Sequence, residues 1–251
     1  MKPLVLTLTL TLTLAPIALG DKPVEGIPDG YKLVYKQDFD SADAIKEFEF
    51  SDANAWKFSE KGHGEKGGAL ELYQQSKYKT KVRSPFNIAL IRGKVLSDFV
   101  LDADLVQTGK EYGHRDMCIY YGFTEPAKFY YTHIATKADP NAHNCFIVND
   151  APRKNFAKEV TQGADWGLDK WHRMRLVRGG KDGTIKVYFD DMTKPIMLAE
   201  DKTFADGQVG FGSFDDTGKI DNIRVYAPAD SVKERKANMF PVAGGAADGT
   251  K

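Results

Sequence analysis

Tyr131 and His133 stand two residues apart in the stretch KFYYTHIA, residues 128–135. A phenol and an imidazole side by side could pass a proton to and from a bound substrate, because imidazole titrates near neutrality and either group can act as acid or base once its surroundings tune it. Arg115 completes the candidate catalytic set as a cation able to hold developing negative charge. His114, Tyr120, His143, Asn144 and Arg153 are the candidate ligand contacts around them, with Trp166 beyond. Residues 112–153 hold three of the chain's five histidines and five of its eleven tyrosines, a concentration that marks this stretch as the chemical centre. A plainer account stands beside this one. Strands are rich in Tyr, and a His on a sheet face is commonly a hydrogen-bonded structural residue.

The elements that must hold these groups read as a meander of three β-strands. Residues 117–123 and 128–135 are rich in aromatic and β-branched residues, joined by the proline-bearing turn Thr124-Glu125-Pro126-Ala127, and residues 144–149 follow after a polar loop. Side chains alternate at period two, so Phe129, Tyr131 and His133 share one face while Tyr130, Thr132 and Ile134 share the other. Ile134 turns the second set toward a core and leaves the first on an accessible face. Cys118 and Cys145 then lie on the strands flanking the middle one, roughly 9–10 Å apart by strand spacing. A disulfide needs Cα atoms within about 7 Å. Two buried free thiols are therefore expected, and no Cys-x-x-Cys or paired-His spacing suggests metal binding.

Residues 1–20 open with Lys2, continue as an apolar Leu/Thr run and end Ala18-Leu19-Gly20, the pattern of a cleaved secretory signal. The run is short for a membrane span and contains Pro16. A secreted or periplasmic protein with no membrane attachment after cleavage is the expectation. Lys plus Arg balance Asp plus Glu at 35 each, so no basic field invites nucleic acid or an anionic membrane. Strands recur at short intervals: 31–39, 56–58, 69–73, 86–91, 96–107, 171–178, 183–190, 208–214 and 220–226. With no long helical period among them, the chain reads as an all-β sandwich. Its single domain spans residues 21–228, and residues 229–251 form a tail with a short helix near 231–237 and a disordered Gly/Ala-rich end. In FVLDADLV, residues 99–106, Asp102 and Asp104 share a strand face and could serve acid/base chemistry, although such pairs are more often solvated. Trp166, in a loop-like stretch, could stack on a sugar ring or close the edge of the core.

The succession Trp171-His172-Arg173-Met174-Arg175-Leu176, Gly183-Thr184-Ile185-Lys186-Val187-Tyr188-Phe189-Asp190, Gly207-Gln208-Val209-Gly210-Phe211-Gly212 and Asp221-Asn222-Ile223-Arg224-Val225 resembles the C-terminal half of the concanavalin A-like lectin/glucanase superfamily. It is most similar to the bacterial secreted branch with laminin-G-like and 3-keto-disaccharide hydrolase-type domains. The resemblance implies a jelly roll of two curved antiparallel sheets with a ligand groove on the concave one, and a polysaccharide or oligosaccharide as partner. The Glu-x-Asp-x-x-Glu strand of laminarinase-type members is missing, which disfavours retaining glycosidase chemistry. The residue types at Tyr131, His133, Arg115 and Asn144 are those that lyases of the superfamily use, and a keto-glycoside-cleaving enzyme would need similar parts. Three readings follow: a glycan-cleaving lyase or hydrolase, a non-catalytic carbohydrate-binding module, and an adhesive domain that binds protein. No cofactor is required by any of them. Asp215, Asp216, Thr217, Gly218 and Asp221 could hold a structural Ca²⁺ as in many members, and an ordinary Asp-rich turn would read the same way.

Overall fold

The computed structural model describes residues 24–64 and 66–240. The signal read in residues 1–20 and the end of the tail lie outside the described residues. In chain order the strands are β1 (Lys32–Gln37), β2 (Phe48–Phe50), β3 (Trp56–Ser59), β4 (Ala69–Leu72), β5 (Asn87–Ile91), β6 (Lys94–Leu96), β7 (Phe99–Gln107), β8 (Asp116–Glu125) and β9 (Lys128–Ala135). They continue as β10 (Asn144–Asn149), β11 (Lys154–Asn155), β12 (Glu159–Val160), β13 (His172–Arg178), β14 (Thr184–Phe189), β15 (Pro195–Glu200), β16 (Gln208–Ser213), β17 (Gly218–Ala227) and β18 (Val232–Glu234).

The strand pairings are antiparallel and form two large sheets packed as a jelly-roll sandwich, with β6 and β18 as a separate two-stranded sheet. One sheet has nine strands in the order β12, β15, β14, β13, β7, β17, β4, β3, with β1 paired to the end of β17 beyond the reach of β4. The other has seven, in the order β11, β10, β9, β8, β16, β5, β2. Alternation places Leu101, Ala103 and Leu105 of β7 and Met174 and Leu176 of β13 against Ile119 and Tyr121 of β8 and Tyr130 and Ile134 of β9, and this is the core between the sheets.

The seven-stranded sheet is also buried on its outer face. Ile88, Leu90, Cys118, Tyr120, Phe123, Phe129, Tyr131, Phe146 and Val148 form a second apolar layer, covered by Tyr78 and Val82 from the β4–β5 connection and by Met239 and Phe240 from the C-terminal segment. The expected meander is present as β8, β9 and β10, and both cysteines are free and buried. Cys118 belongs to the outer layer and Cys145 to the core between the sheets, so they face opposite sides.

Three expectations change. The segment 96–107 is not one strand: β6 ends at Leu96, which pairs with Val232, and β7 starts afresh at Phe99. The tail helix is instead a 3₁₀ turn, Ala229–Ser231, followed by β18. Strand β15 (PIMLAE) was not read from the sequence, because its proline and scarcity of β-branched residues hide it.

Candidate functional site

Strand β9 aims Phe129, Tyr131 and His133 to one face, as alternation requires, and cross-strand neighbours then decide their exposure. Tyr131 is opposite Tyr120 on β8 and Phe146 on β10, and its ring stacks on Phe146 at 5.1 Å. Arg153 lies above, donating from Nη1 to the Tyr131 hydroxyl at 2.9 Å while its guanidinium covers the Phe146 and Phe214 rings at 4.6 and 4.5 Å. Tyr131 and His133 are consequently 0% and 3% exposed. The open face expected for them is corrected: the two rings do project together, but under a roof.

The polar groups beneath that roof satisfy one another. His133 Nε2 is 3.7 Å from Asp116 Oδ2, and burial together with the Arg153 charge drives the imidazole down to about 3. Asp116 is fully buried. Its carboxyl accepts from Cys118 Sγ at 3.0 Å, Ser213 Oγ at 2.8 Å and the Phe214 N–H, yet burial and the Asp216 charge push it up to about 8. Burial also raises the Tyr131 phenol well above its ordinary value. Tyr131 is fully enclosed and His133 nearly so, and this geometry gives them no direct hold on a substrate.

The remaining candidates disperse. Arg115 is buried and committed to Gln107, through Nε to the side-chain oxygen and through Nη2 to the main-chain carbonyl at 3.0 Å. His114 is at the surface, paired with Asp139. Tyr120 donates to the Asn87 carbonyl at 3.0 Å from a fully buried position. His143 is buried, contacts Thr161 Oγ1 through Nε2 at 3.0 Å, and is held down to about 4 by burial. Asn144 accepts the Ala157 N–H at 3.1 Å. Trp166 is not an exposed platform: it donates to the Ile134 carbonyl at 3.0 Å and packs edge-on against His172 and Phe189.

The two aspartates of β7 are also engaged, on the outer face of the nine-stranded sheet. Asp102 receives Arg175 Nε and Nη2 at 2.6 and 2.7 Å and Arg173 at 2.9 Å. Asp104 takes His63 Nδ1 at 2.8 Å and Asn222 Nδ2 at 2.7 Å. The Asp-rich cluster near β17 divides in two. Asp221 accepts the His63 N–H at 2.7 Å, whereas Asp215 and Asp216 join Asp116, with one oxygen from each within 4.8 Å of the others. The Asp116 oxygens are taken by N–H, O–H and S–H donors, and Asp216 Oδ2 by Tyr112 and the Asp116 N–H. Asp216 Oδ1 and the Asp215 carboxylate remain, the latter with only a 3.5 Å contact from the Tyr112 hydroxyl, short of the six to eight oxygens Ca²⁺ takes. The set does not fit a closed calcium site.

An open cavity of about 420 Å³ lies at the same end of the sandwich, lined by Gln75, Lys110, Glu111, Tyr112, Asp215 and Asp216 among others. The β7–β8 loop supplies Tyr112, 42% exposed, and the β16–β17 turn supplies the aspartates. Tyr112 donates to Asp216 Oδ2 at 2.8 Å, which fixes the ring against the cavity wall. Burial lifts the Asp216 carboxyl above its ordinary range, and burial with the nearby carboxylates lifts the Tyr112 phenol. At Gly109 a Cβ would sit 2.8 Å from both Asp216 Oδ1 and Gln107 Nε2, so a larger residue would push these side chains aside. The arrangement offers an exposed aromatic ring beside hydrogen-bond acceptors. Sequence reasoning passed over Tyr112 and Gln75, which are brought together from different loops; the polar Lys110-Glu111-Tyr112-Gly113 run before β8 was the available signal.

No family model and no curated protein matches the chain. Among solved structures, the carbohydrate binding module CBM66 from Bacillus subtilis is similar with a TM-score of 0.50 and 17% identity, over 72% of this chain and 96% of that one. The GH43 protein BlXynB from Bacillus licheniformis gives 0.51 and 12%, and a xylan beta-1,4-xylosidase from Bacillus halodurans C-125 gives 0.51 and 11%. This chain covers 82% and 84% of itself in those two matches but spans only 40% and 41% of their lengths, so what is shared is one domain's fold.

Proposed function

We propose that the protein binds sugar units of an oligosaccharide or polysaccharide in the Tyr112 cavity, without turning them over. The observation that carries this reading is the exposed Tyr112 ring, pinned by Asp216 in an open cavity with Asp215 alongside. A pyranose presents an apolar face to an aromatic ring and hydroxyls to carboxylates, so such a wall suits it. The likeness of fold to a carbohydrate binding module over nearly that module's whole length supports it. An export signal at residues 1–20 would deliver the protein to glycans outside the cytoplasm, and an exported form beginning at Asp21 on N-terminal sequencing is expected.

The test is retention on immobilised xylan, laminarin, galactan and polygalacturonate. Tyr112→Ala is expected to weaken binding at least tenfold, about 1.4 kcal/mol, while Tyr131→Phe leaves it unchanged. Equal retention of Tyr112→Ala and the parent would refute the assignment. A second reading, glycan cleavage, draws on the raised Asp216 carboxyl beside Asp215 in the same cavity, a pairing that could supply a proton donor. It requires new reducing ends or an unsaturated uronide that Asp216→Asn abolishes. Their absence after prolonged incubation leaves binding alone.

A further inference from the structure

The outer face of the seven-stranded sheet runs from the Asp116 end of β8, where the cavity opens, to Phe123, about 24 Å away at strand rise. Between the two ends Tyr120 and Tyr131 are buried, Tyr131 beneath Arg153, and Phe129 and Phe123 lie farther on. The β4–β5 connection follows the same course, lining the cavity with Gln75 and covering the far part with Tyr78. What closes that far part from the other side is the C-terminal segment. Phe240 packs edge-on against Tyr78 at 5.5 Å and Phe123 at 5.9 Å, and Met239 joins the same apolar layer.

The hold on this segment is slight for the aromatic area it covers. After β18 the main chain bonds once to the β5–β6 turn, Arg235 N–H to the Gly93 carbonyl at 2.9 Å. Arg92 Nη1 donates to Asn238 Oδ1 at 2.5 Å, and the Met239 N–H donates to Glu49. Glu49 is itself a buried carboxylate on the edge strand β2, and it also receives Gln208 Nε2 at 3.1 Å. Residues 238–240 add no strand to the sheet, so their removal would break no ladder.

We propose that residues 238–240 are a displaceable strap, an intramolecular competitor that covers a second glycan subsite on the outer face, separated from the Tyr112 cavity by the Arg153 roof over Tyr131. The proposal rests on the sugar-binding reading of that cavity. With the strap seated, a glycan engages only its terminal units at Tyr112. With the strap lifted, Phe123 and Phe129 become further stacking surfaces for a longer chain, and the Glu49 oxygen that held the Met239 N–H becomes free to meet its hydroxyls.

The test uses the full-length protein carrying Met239→Ser and Phe240→Ser, on the same four immobilised polysaccharides and on their monosaccharides. At least one polysaccharide is expected to bind the double variant tenfold or more tighter than the parent, with monosaccharide affinity unchanged. Glu49→Gln, which weakens the tether while keeping the apolar contacts, is expected to give a smaller gain and covers the case in which the double variant does not fold. Hydrogen exchange supplies a sugar-free readout: the Met239 amide should exchange much faster than the β8 and β9 amides. Exchange as slow as the sheet, or no gain in polysaccharide affinity in either variant, overturns the strap. The cavity reading fails separately, through Tyr112→Ala in a chain whose strap is intact.

Discussion

Tyr131 and His133 show what a residue pattern does and does not determine. Their shared face follows from period-two alternation and was legible in KFYYTHIA. Their burial depends on Arg153, Phe146 and Phe214, the last more than eighty positions away, and no local pattern encodes that roof. Buried imidazoles have a thermodynamic consequence. His143 is held down to about 4, so the unfolded chain takes up its proton first as pH falls below the ordinary 6.5. The stability tied to this group is present above pH 6.5 and is lost toward pH 4. His143→Asn, a residue tolerant of the positive φ of 51° here, is expected to flatten that part of the curve. In urea unfolding at pH 7 and 4.5, the parent should lose about 2 kcal/mol more than the variant between the two conditions. Asp116 acts in the opposite sense: its carboxyl, raised to about 8, removes stability as pH climbs from 4 toward 8, so the comparison is made between variants.

At the scale of elements, the long alternating strands were legible because each carries its own signal. The β8–β10 meander and β14 are rich in β-branched and aromatic residues, β13 alternates Met174 and Leu176 with Arg173 and Arg175, and GGKDG marks the turn between β13 and β14. Strands of two or three residues such as β11, β12 and β18 carry no such signal and exist only because a neighbour offers an edge. The same limit applied to the Asp-rich β16–β17 connection. Read along the chain, Asp215, Asp216 and Asp221 form one acidic group; the strand turns Asp221 toward His63 and Asp104, away from the other two. With both Asp116 oxygens and one of Asp216 already occupied, this turn is expected to need no calcium. The thermal midpoint should be the same within 1–2 °C in EDTA and in millimolar CaCl₂, since a ligand bound only by the native state would raise it.

On the scale of the whole molecule, the seven-stranded sheet is sandwiched between two apolar layers of different make. The inner one is formed by strands from both sheets. The outer one is sheet on one side and irregular chain on the other. That asymmetry explains why an all-β sandwich was readable from strand spacing while its open cavity was not: sandwich class follows from periodicity, whereas which part of a face stays uncovered follows from where two connections happen to lie. The cysteines, one in each layer, turn this into a measurable difference. They act as two native clocks, each started when its own layer admits reagent. With iodoacetamide under folding conditions, Cys118 should be alkylated well before Cys145, and lifting the cover at Phe240 should quicken the first without touching the second. Equal rates would mean that the two layers come apart only together, in global unfolding.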